Sequence, residues 1–250
     1  MFNDYSGSAH IYDDFLQKHL DYRAACTKLH EVIKRHHPGA SKLLDVGCGT
    51  GKHLELLQHH YEAEGIDISP EMLKKARKRC PDVTFYTGSM DDFALQKKYD
   101  VITCLYAVIA FMPSLEKVYQ AVACMVKHLN DGGILLIEPW WSPNQLWEGK
   151  LIADFTDMPE LKIANMYVIR REGRTSIIDM HYMVGTPLGI ETFVQREALL
   201  LLTREEYTKA FESAGLLVEY YDTDLFPGHQ YGLYVGKKND TQRGDIIEYY

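Results

Sequence analysis

The run Leu43-Leu44-Asp45-Val46-Gly47-Cys48-Gly49-Thr50-Gly51 restricts the possible fold more than any other stretch of the chain. Its first four residues form a short apolar run that stops at closely spaced glycines, the texture of a buried strand. Glycines at a strand end let the backbone pass close to a ligand and turn into a helix. The same unit then recurs. A helix is expected over 51–60 and a strand over 63–68. Ser69-Pro70-Glu71 reads as a helix start, with serine as N-cap, proline in the first position and an acid in the first turn. Further strands are expected at 83–87, 101–105 and 134–138, with a helix over 114–129 and a turn at Asp131-Gly132-Gly133. Strict alternation of strand and helix predicts an α/β fold, a doubly wound, mostly parallel seven-stranded sheet with helices on both faces. Upstream, 8–36 reads as one helix that ends at Pro38-Gly39.

After Pro139 the alternation stops. Three extended runs, 161–171, 174–185 and 190–202, predict a small antiparallel sheet, the first two joined at Arg171-Glu172-Gly173-Arg174. The α/β texture returns with the capping-box-like Thr203-Arg204-Glu205-Glu206, a helix ending at Gly215, and strands at 217–221 and 232–236. The expected organisation is a core of 1–139 and 203–238 with an N-terminal helical cap, an insertion at 140–202, and a loose tail at 239–250.

Composition removes several classes. A chain of 250 residues suits one elaborated α/β domain. No stretch approaches the roughly 20 apolar residues of a membrane-spanning helix, so no membrane partner is expected. The start of the chain has neither the basic nor the apolar part of a secretory signal. The five cysteines are scattered with no C-x-x-C pair, which fits a reducing cytosol and a cytoplasmic protein. A net charge of −8 argues against a nucleic-acid partner. His36-His37 and His59-His60 are adjacent pairs whose side chains diverge on a helix, so no metal is expected.

Two kinds of cofactor compete for the glycine loop. A dinucleotide site needs G-x-G-x-x-G, and the third glycine would fall on Lys52. The chain has G-x-G-x-G instead, with Asp45 two residues before the first glycine. That arrangement suits S-adenosylmethionine (SAM), which has no pyrophosphate to cradle and carries an ammonium that an acid can hold. Asp67 ends the second strand, where a carboxylate can accept both ribose hydroxyls. Gly88-Ser89-Met90-Asp91-Asp92-Phe93 follows the third, placing Met90 to cover an adenine face and Asp91 to accept from its amine. With these three features in order, the chain resembles the class I SAM-dependent methyltransferases over about 1–238. The resemblance implies that Gly47, Gly49 and Gly51 line the methionine part, that Asp67 holds the ribose, and that Met90 and Asp91 meet the adenine. Tyr22, Asp45, Cys48, Ile68 and Leu105 complete the expected cofactor set.

Glu138-Pro139-Trp140-Trp141 places two tryptophans just past a strand end, natural walls for a pocket. With Tyr12-Asp13, Asp21-Tyr22, Asp100-Val101-Ile102-Thr103-Cys104 and Gly232-Leu233-Tyr234-Val235-Gly236, the chain is similar to the N,N-dimethyltransferases of nucleotide-linked aminosugars. The resemblance implies a small-molecule acceptor, an amine methylated by in-line displacement. It further implies that Tyr12 and Tyr22 border the acceptor amine and the cofactor, and that the inserted sheet carries substrate and homodimer contacts. Two positions depart from the family pattern: Phe111 stands where a histidine lies near the acceptor, and Tyr231 where an arginine faces a diphosphate. Arg170 and Arg196 in the insertion are candidate replacements for that arginine. Tyr12 is the candidate to orient the amine, His181 is the remaining candidate base, and catalysis is expected to work by alignment with no dedicated strong base. The [N/D/S]-P-P-[F/Y/W] box of amine-directed nucleic-acid methyltransferases is replaced by Leu105-Tyr106-Ala107-Val108. The alternatives are an O-methyltransferase of another small metabolite and a non-catalytic SAM-binding sensor or assembly protein.

Overall fold

The computed structural model describes residues 5, 7–16, 20–223, 225–226 and 231–239. The α/β part opens with two helices, α1 (Tyr12–Leu16) and α2 (Tyr22–His36). The three- and four-residue apolar spacing suggested one continuous helix here. Asp21 divides it, because its carboxylate accepts from the Ala24 N–H (3.0 Å) and so starts α2 as an N-cap. Then follow β1 (Lys42–Val46), α3 (Lys52–Leu57), β2 (Glu62–Asp67), α4 (Pro70–Arg79), β3 (Thr84–Thr87), β4 (Tyr99–Cys104), a 3-10 turn (Val108–Phe111), α5 (Leu115–Lys127) and β5 (Leu129–Ile137). Ser69 caps α4 with Pro70 in its first turn, as its sequence requires.

The expected Asp131-Gly132-Gly133 turn lies inside β5. Gly132 takes φ +74, and a Cβ on Gly133 would stand 2.9 Å from the Asn130 carbonyl oxygen. The two glycines therefore let the strand pass an irregularity in its pairing with β4 rather than end there.

Four more strands follow β5: β6 (Leu151–Met158), β7 (Leu161–Glu172), β8 (Thr175–Thr186) and β9 (Gly189–Leu200). They form a separate antiparallel sheet in the order β6-β7-β8-β9. The sequence signalled three of the four. β6 is an edge strand whose Ala153-Asp154-Phe155-Thr156-Asp157 carries its acids inside the run, so the apolar signal of a strand is weak there. The chain then re-enters the first layer through α6 (Arg204–Ser213), whose Thr203–Glu206 capping box is complete, and closes with β10 (Leu216–Tyr221) and β11 (Leu233–Lys238). The first sheet has seven strands in the order β10-β11-β5-β4-β1-β2-β3, and only β11 runs antiparallel to its neighbours. The tail expected over 239–250 lies, beyond Asn239, outside the described residues.

Apolar side chains fill both faces of the seven-stranded sheet: Leu29, Ile33 and Leu43 on one side, Leu44, Val118 and Phe211 on the other. A third cluster, including Ile169, Ile178, Tyr182 and Leu199, joins the inner face of the second sheet to Ile11 and Ala110. The order β4-β1-β2 puts the change of winding direction at β1 and β4, and a crevice opens at the carboxyl ends of those strands. Among the described residues no helix is long and apolar enough to cross a membrane.

Candidate active site

The glycine loop leaves β1 with its N–H groups turned back: those of Gly47 and Cys48 both donate to the Ile66 carbonyl (2.8 and 3.1 Å). Gly47 has φ +74, and a Cβ there would stand 2.3 Å from Cγ1 of Val108, so the loop and the turn after β4 touch at a place where only glycine fits. At Gly49 (φ +54) a Cβ would meet nothing within 4 Å, because that residue faces the open cleft. Gly47 and Gly49 line the cleft. Gly51 does not. It starts α3, and a Cβ on it would lie 3.2 Å from Cβ of Ala76, so it serves the contact between α3 and α4 instead.

Two carboxylates sit at the floor and mouth of this loop. Asp45 is buried, and its Oδ1 accepts from the Thr103 hydroxyl (2.7 Å). Burial pushes its carboxyl up to about 7, against the hydrogen bond from Thr103 and with a small further push from Asp67. Asp67, at the end of β2, accepts from the Gly49 N–H through Oδ2 and from the Ser69 N–H through Oδ1, each at 2.8 Å. Burial raises its carboxyl while these two N–H groups oppose the rise. Asp67, Ile68, Ser89 and Met90 line the outer cleft; Tyr22, Asp45, Cys48 and Leu105 line its inner end beside Gly47. Asp91 turns elsewhere. Its carboxylate bonds Ser89 and pairs with Lys117 (2.6 Å), which outweigh burial and hold it below the usual carboxylate range.

A second cavity lies between this cleft and the inner face of the second sheet. Tyr5, Tyr12, Tyr106 and Phe111 line both spaces and form the boundary between them. Trp140, Trp141 and Tyr231 make one wall, with Trp140 4.5 Å from Trp141 and 5.3 Å from Tyr231 between ring centroids. The opposite wall comes from alternate residues of the strands, including Asp154 on β6, Tyr167 on β7, Tyr182 on β8, and Gln195 and Glu197 on β9. Burial lifts the phenols of Tyr5, Tyr12, Tyr106 and Tyr231 well above their ordinary range, so all four remain protonated donors near neutral pH.

Three expected site residues are absent from this wall. His181, Arg170 and Arg196 point from the outer face of the same sheet, each adjacent in sequence to a residue that faces inward. Arg170 and Arg196 there flank Asp179. Successive side chains on a strand project to opposite faces, so these three cannot serve the cavity without changing the register of the sheet. Glu197, Asp154, Gln195 and Tyr5 were not anticipated. For Gln195 and Glu197 the strand gave no clear phase, since buried Leu199 shares their parity and buried Leu200 that of Arg196.

Two buried polar arrangements brace the site. Glu138 at the end of β5 accepts from the Tyr106 N–H (2.6 Å), where Tyr106 and Ala107 both take left-handed backbone, φ +54 and +58. Asp13 on α1 accepts from the Thr50 hydroxyl (2.6 Å) and pairs with Arg79 of α4 (2.5 Å), which also donates to the Thr50 carbonyl. Through these bonds α1, which carries Tyr12, is fastened to the glycine loop.

A floor where one glycine admits no Cβ and a second faces open space, with carboxylates at two strand ends, fits a cofactor that carries an ammonium at one end and a diol near its middle. Fold and cleft together define a class I SAM-dependent methyltransferase. A family profile described as a methyltransferase domain matches residues 43–133. The chain is 35% identical over 231 residues to the dTDP-3-amino-3,4,6-trideoxy-alpha-D-glucopyranose N,N-dimethyltransferase of Streptomyces venezuelae, covering 91% of this chain and 96% of that one. It is 36% identical over 222 residues to the dTDP-4-amino-2,3,4,6-tetradeoxy-D-glucose N,N-dimethyltransferase of Saccharopolyspora spinosa, covering 88% and 87%. Among solved structures it resembles SAM-bound CalS10, an amino pentose methyltransferase from Micromonospora echinaspora, with a TM-score of 0.80, 34% identity, and 88% and 92% of the two chains covered. The chain belongs to this family of SAM-dependent sugar N,N-dimethyltransferases.

Proposed function

We propose that the protein N-methylates the amino group of an aminosugar, nucleotide-linked as for the relatives, by in-line displacement. The observation that carries this reading is the shared boundary: Tyr5, Tyr12, Tyr106 and Phe111 line the cofactor cleft and the second cavity alike. An acceptor in the second cavity therefore meets the donor only past these four rings. SAM, when bound, supplies a methyl group on a sulfonium, which needs no further activation. Asp45 holds the ammonium, Gly47 and Gly49 form the floor, and Asp67 accepts the ribose hydroxyls on lone pairs left over from its two backbone bonds. Tyr22, Cys48 and Leu105 close the inner end, and Ile68 and Met90 cover the adenine. Tyr12 orients the amine through its protonated hydroxyl. Trp140, Trp141 and Tyr231 exclude water and hold the sugar.

The enzyme works in the cytoplasm as a homodimer. Phe155, Met166, Met183 and Val194 are all exposed on the outer face of the second sheet, where Met166, His181 and Val194 lie in register across three strands. An apolar face of this kind is a protein contact surface, and a second copy of the chain covers it.

The test is incubation with SAM and a panel of aminosugars, free and nucleotide-linked, read by mass spectrometry for the gain of one or two methyl groups. Methylation of a hydroxylated metabolite with no aminosugar modified would replace this reading by O-methylation. For the dimer, light scattering of the wild type and of Phe155→Lys/Met183→Lys should give two copies and one.

A further inference from the structure

The acceptor cavity holds a carboxylate that nothing above uses. Glu197 projects from β9 into the space walled by the boundary aromatics. Its Oε1 accepts from the Tyr5 hydroxyl at 2.7 Å and from the Gln195 side-chain amide at 3.3 Å. Both bonds go to Oε1, and Oε2 has no partner among the described residues. Tyr5 in turn packs edge-on against Tyr12 (5.3 Å) and Phe111 (5.9 Å), so the carboxylate stands one hydrogen bond from the boundary with the cofactor cleft. Tyr5, Tyr12, Tyr106, Tyr167, Tyr182 and Tyr231 are near enough to feel its charge, and Asp154 of β6 lines the same cavity.

We propose that Glu197 receives the acceptor as its ammonium ion on Oε2 and takes one proton from it before methyl transfer. The inference rests on the amine-methylating reading above. An amine that enters at neutral pH carries a proton and has no lone pair to attack with. Aromatic rings around an anionic oxygen attract such a cation, the rings through their faces and the carboxylate through charge. Proton transfer leaves R–NH2 and a protonated Glu197. The nitrogen lone pair then forms the C–N bond as the C–S bond breaks, with that electron pair going to sulfur. The product departs as R–NH2(CH3)+, and Glu197 gives its proton to solvent, so each turnover releases one proton. For a second methylation the monomethylated ammonium is bound and deprotonated in the same way.

Burial pushes the Glu197 carboxyl up, while the bonds from Tyr5 and Gln195 oppose the rise. The surrounding phenols cannot take the proton, because burial keeps them protonated. Phe111, at the position where the family pattern has a histidine, has no basic atom. On this proposal a carboxylate reached from the other side of the boundary supplies the base that the sequence did not offer.

The experiment compares wild type, Glu197→Gln and Tyr5→Phe in two measurements. In the first, kcat/KM for the methylated aminosugar is followed against pH. Glu197→Gln should lose about a hundredfold near pH 7, within the usual range for a positioned acid or base. Its acid limb should vanish, leaving a rate that climbs with the amine's own ionisation. Tyr5→Phe removes a bond that favours the ionised carboxylate, so its acid limb should move to higher pH with a smaller loss. Glu197→Gln, which lies outside the cofactor cleft, should not change the affinity for S-adenosylhomocysteine beyond about twofold, and a residue that only packs would leave the limb in place. In the second, the S-adenosylhomocysteine complex is titrated with a methyl 3-amino-3,6-dideoxyglucoside and with its 3-hydroxy counterpart. Wild type should prefer the amine about tenfold or more, and Glu197→Gln should lose the preference. An unchanged acid limb in Glu197→Gln, or no preference for the amine in wild type, overturns the proposal. If wild type methylates no aminosugar, the functional reading falls, and the binding preference still decides the role of Glu197.

Discussion

The cofactor cleft and the acceptor cavity share four side chains and are built on different principles. The cleft is made largely by backbone: glycines at a strand end, N–H groups turned onto Asp67, and carboxylates fixed by their places on β1 and β2. The acceptor cavity is made by side chains, and the character of the wall that the second sheet gives it depends on which alternate residues face in. A backbone site tolerates few residue types at few positions. A side-chain site keeps its shape through many substitutions and changes its chemistry with each.

The contrast is broken most directly at the loop. Gly47→Ala adds a Cβ that meets Val108 and imposes φ +74 on a residue that resists it. It should cost about 2–4 kcal/mol of stability and abolish measurable SAM binding. Adding Val108→Ala should return part of the stability and little of the binding, as read by thermal melts and calorimetry. Asp67→Ala comes next, weakening SAM binding by about 1.5–3 kcal/mol, the usual worth of hydrogen bonds to a charged group. An unchanged dissociation constant would remove Asp67 from the site.

Asp45 sharpens the comparison through pH. Burial holds its carboxyl at about 7, so in the free protein it is largely protonated at pH 6, while a bound ammonium needs it ionised. Affinity for SAM should rise with pH between about 5.5 and 7, by up to about tenfold per unit, and then level off. Asp45→Asn should bind weakly and show no such slope. The smallest effects belong to the outer face of the second sheet. Arg170→Ala, His181→Ala and Arg196→Ala should each leave kcat/KM within about twofold. A thousandfold loss in His181→Ala would mean that the sheet pairs in another register and that the assigned cavity wall is wrong.

This division of labour also decides what could be read from the sequence. The glycine spacing, Asp67 at a strand end and Met90 after the next strand are fixed by local chain geometry, so the pattern points to both the fold and the cofactor. Gly51 is the exception: its spacing matched, but only the packing of α3 on α4 shows that it serves Ala76. In the second sheet the signal was a two-residue period, and charge drew attention to the wrong phase of it. Arg196 stands between Gln195 and Glu197, His181 beside Tyr182, and Arg170 beside Ile169; in each case the neighbour faces the cavity. On β9 the phase was ambiguous, because buried Leu199 shares the parity of Gln195 and Glu197 while buried Leu200 shares that of Arg196. Asp154 gave no clue either, because its edge strand carries the apolar Leu151, Ala153 and Phe155 on the exposed phase. Tyr5 could not be placed from sequence, since its contact with Glu197 spans 192 positions.

The left-handed pair after β4 bears on how this enzyme can be improved. Tyr106 and Ala107 both occupy backbone that favours glycine, at a cost of order 1–3 kcal/mol each, with the buried Glu138 carboxylate holding the first of them. Tyr106 is committed, because its ring separates the two spaces. Ala107 is buried and contributes a single methyl to the cavity wall, so a glycine there relieves the strain at the loss of that one methyl. Thermostability and catalysis, which so often trade against each other at an active site, are separable here at adjacent residues.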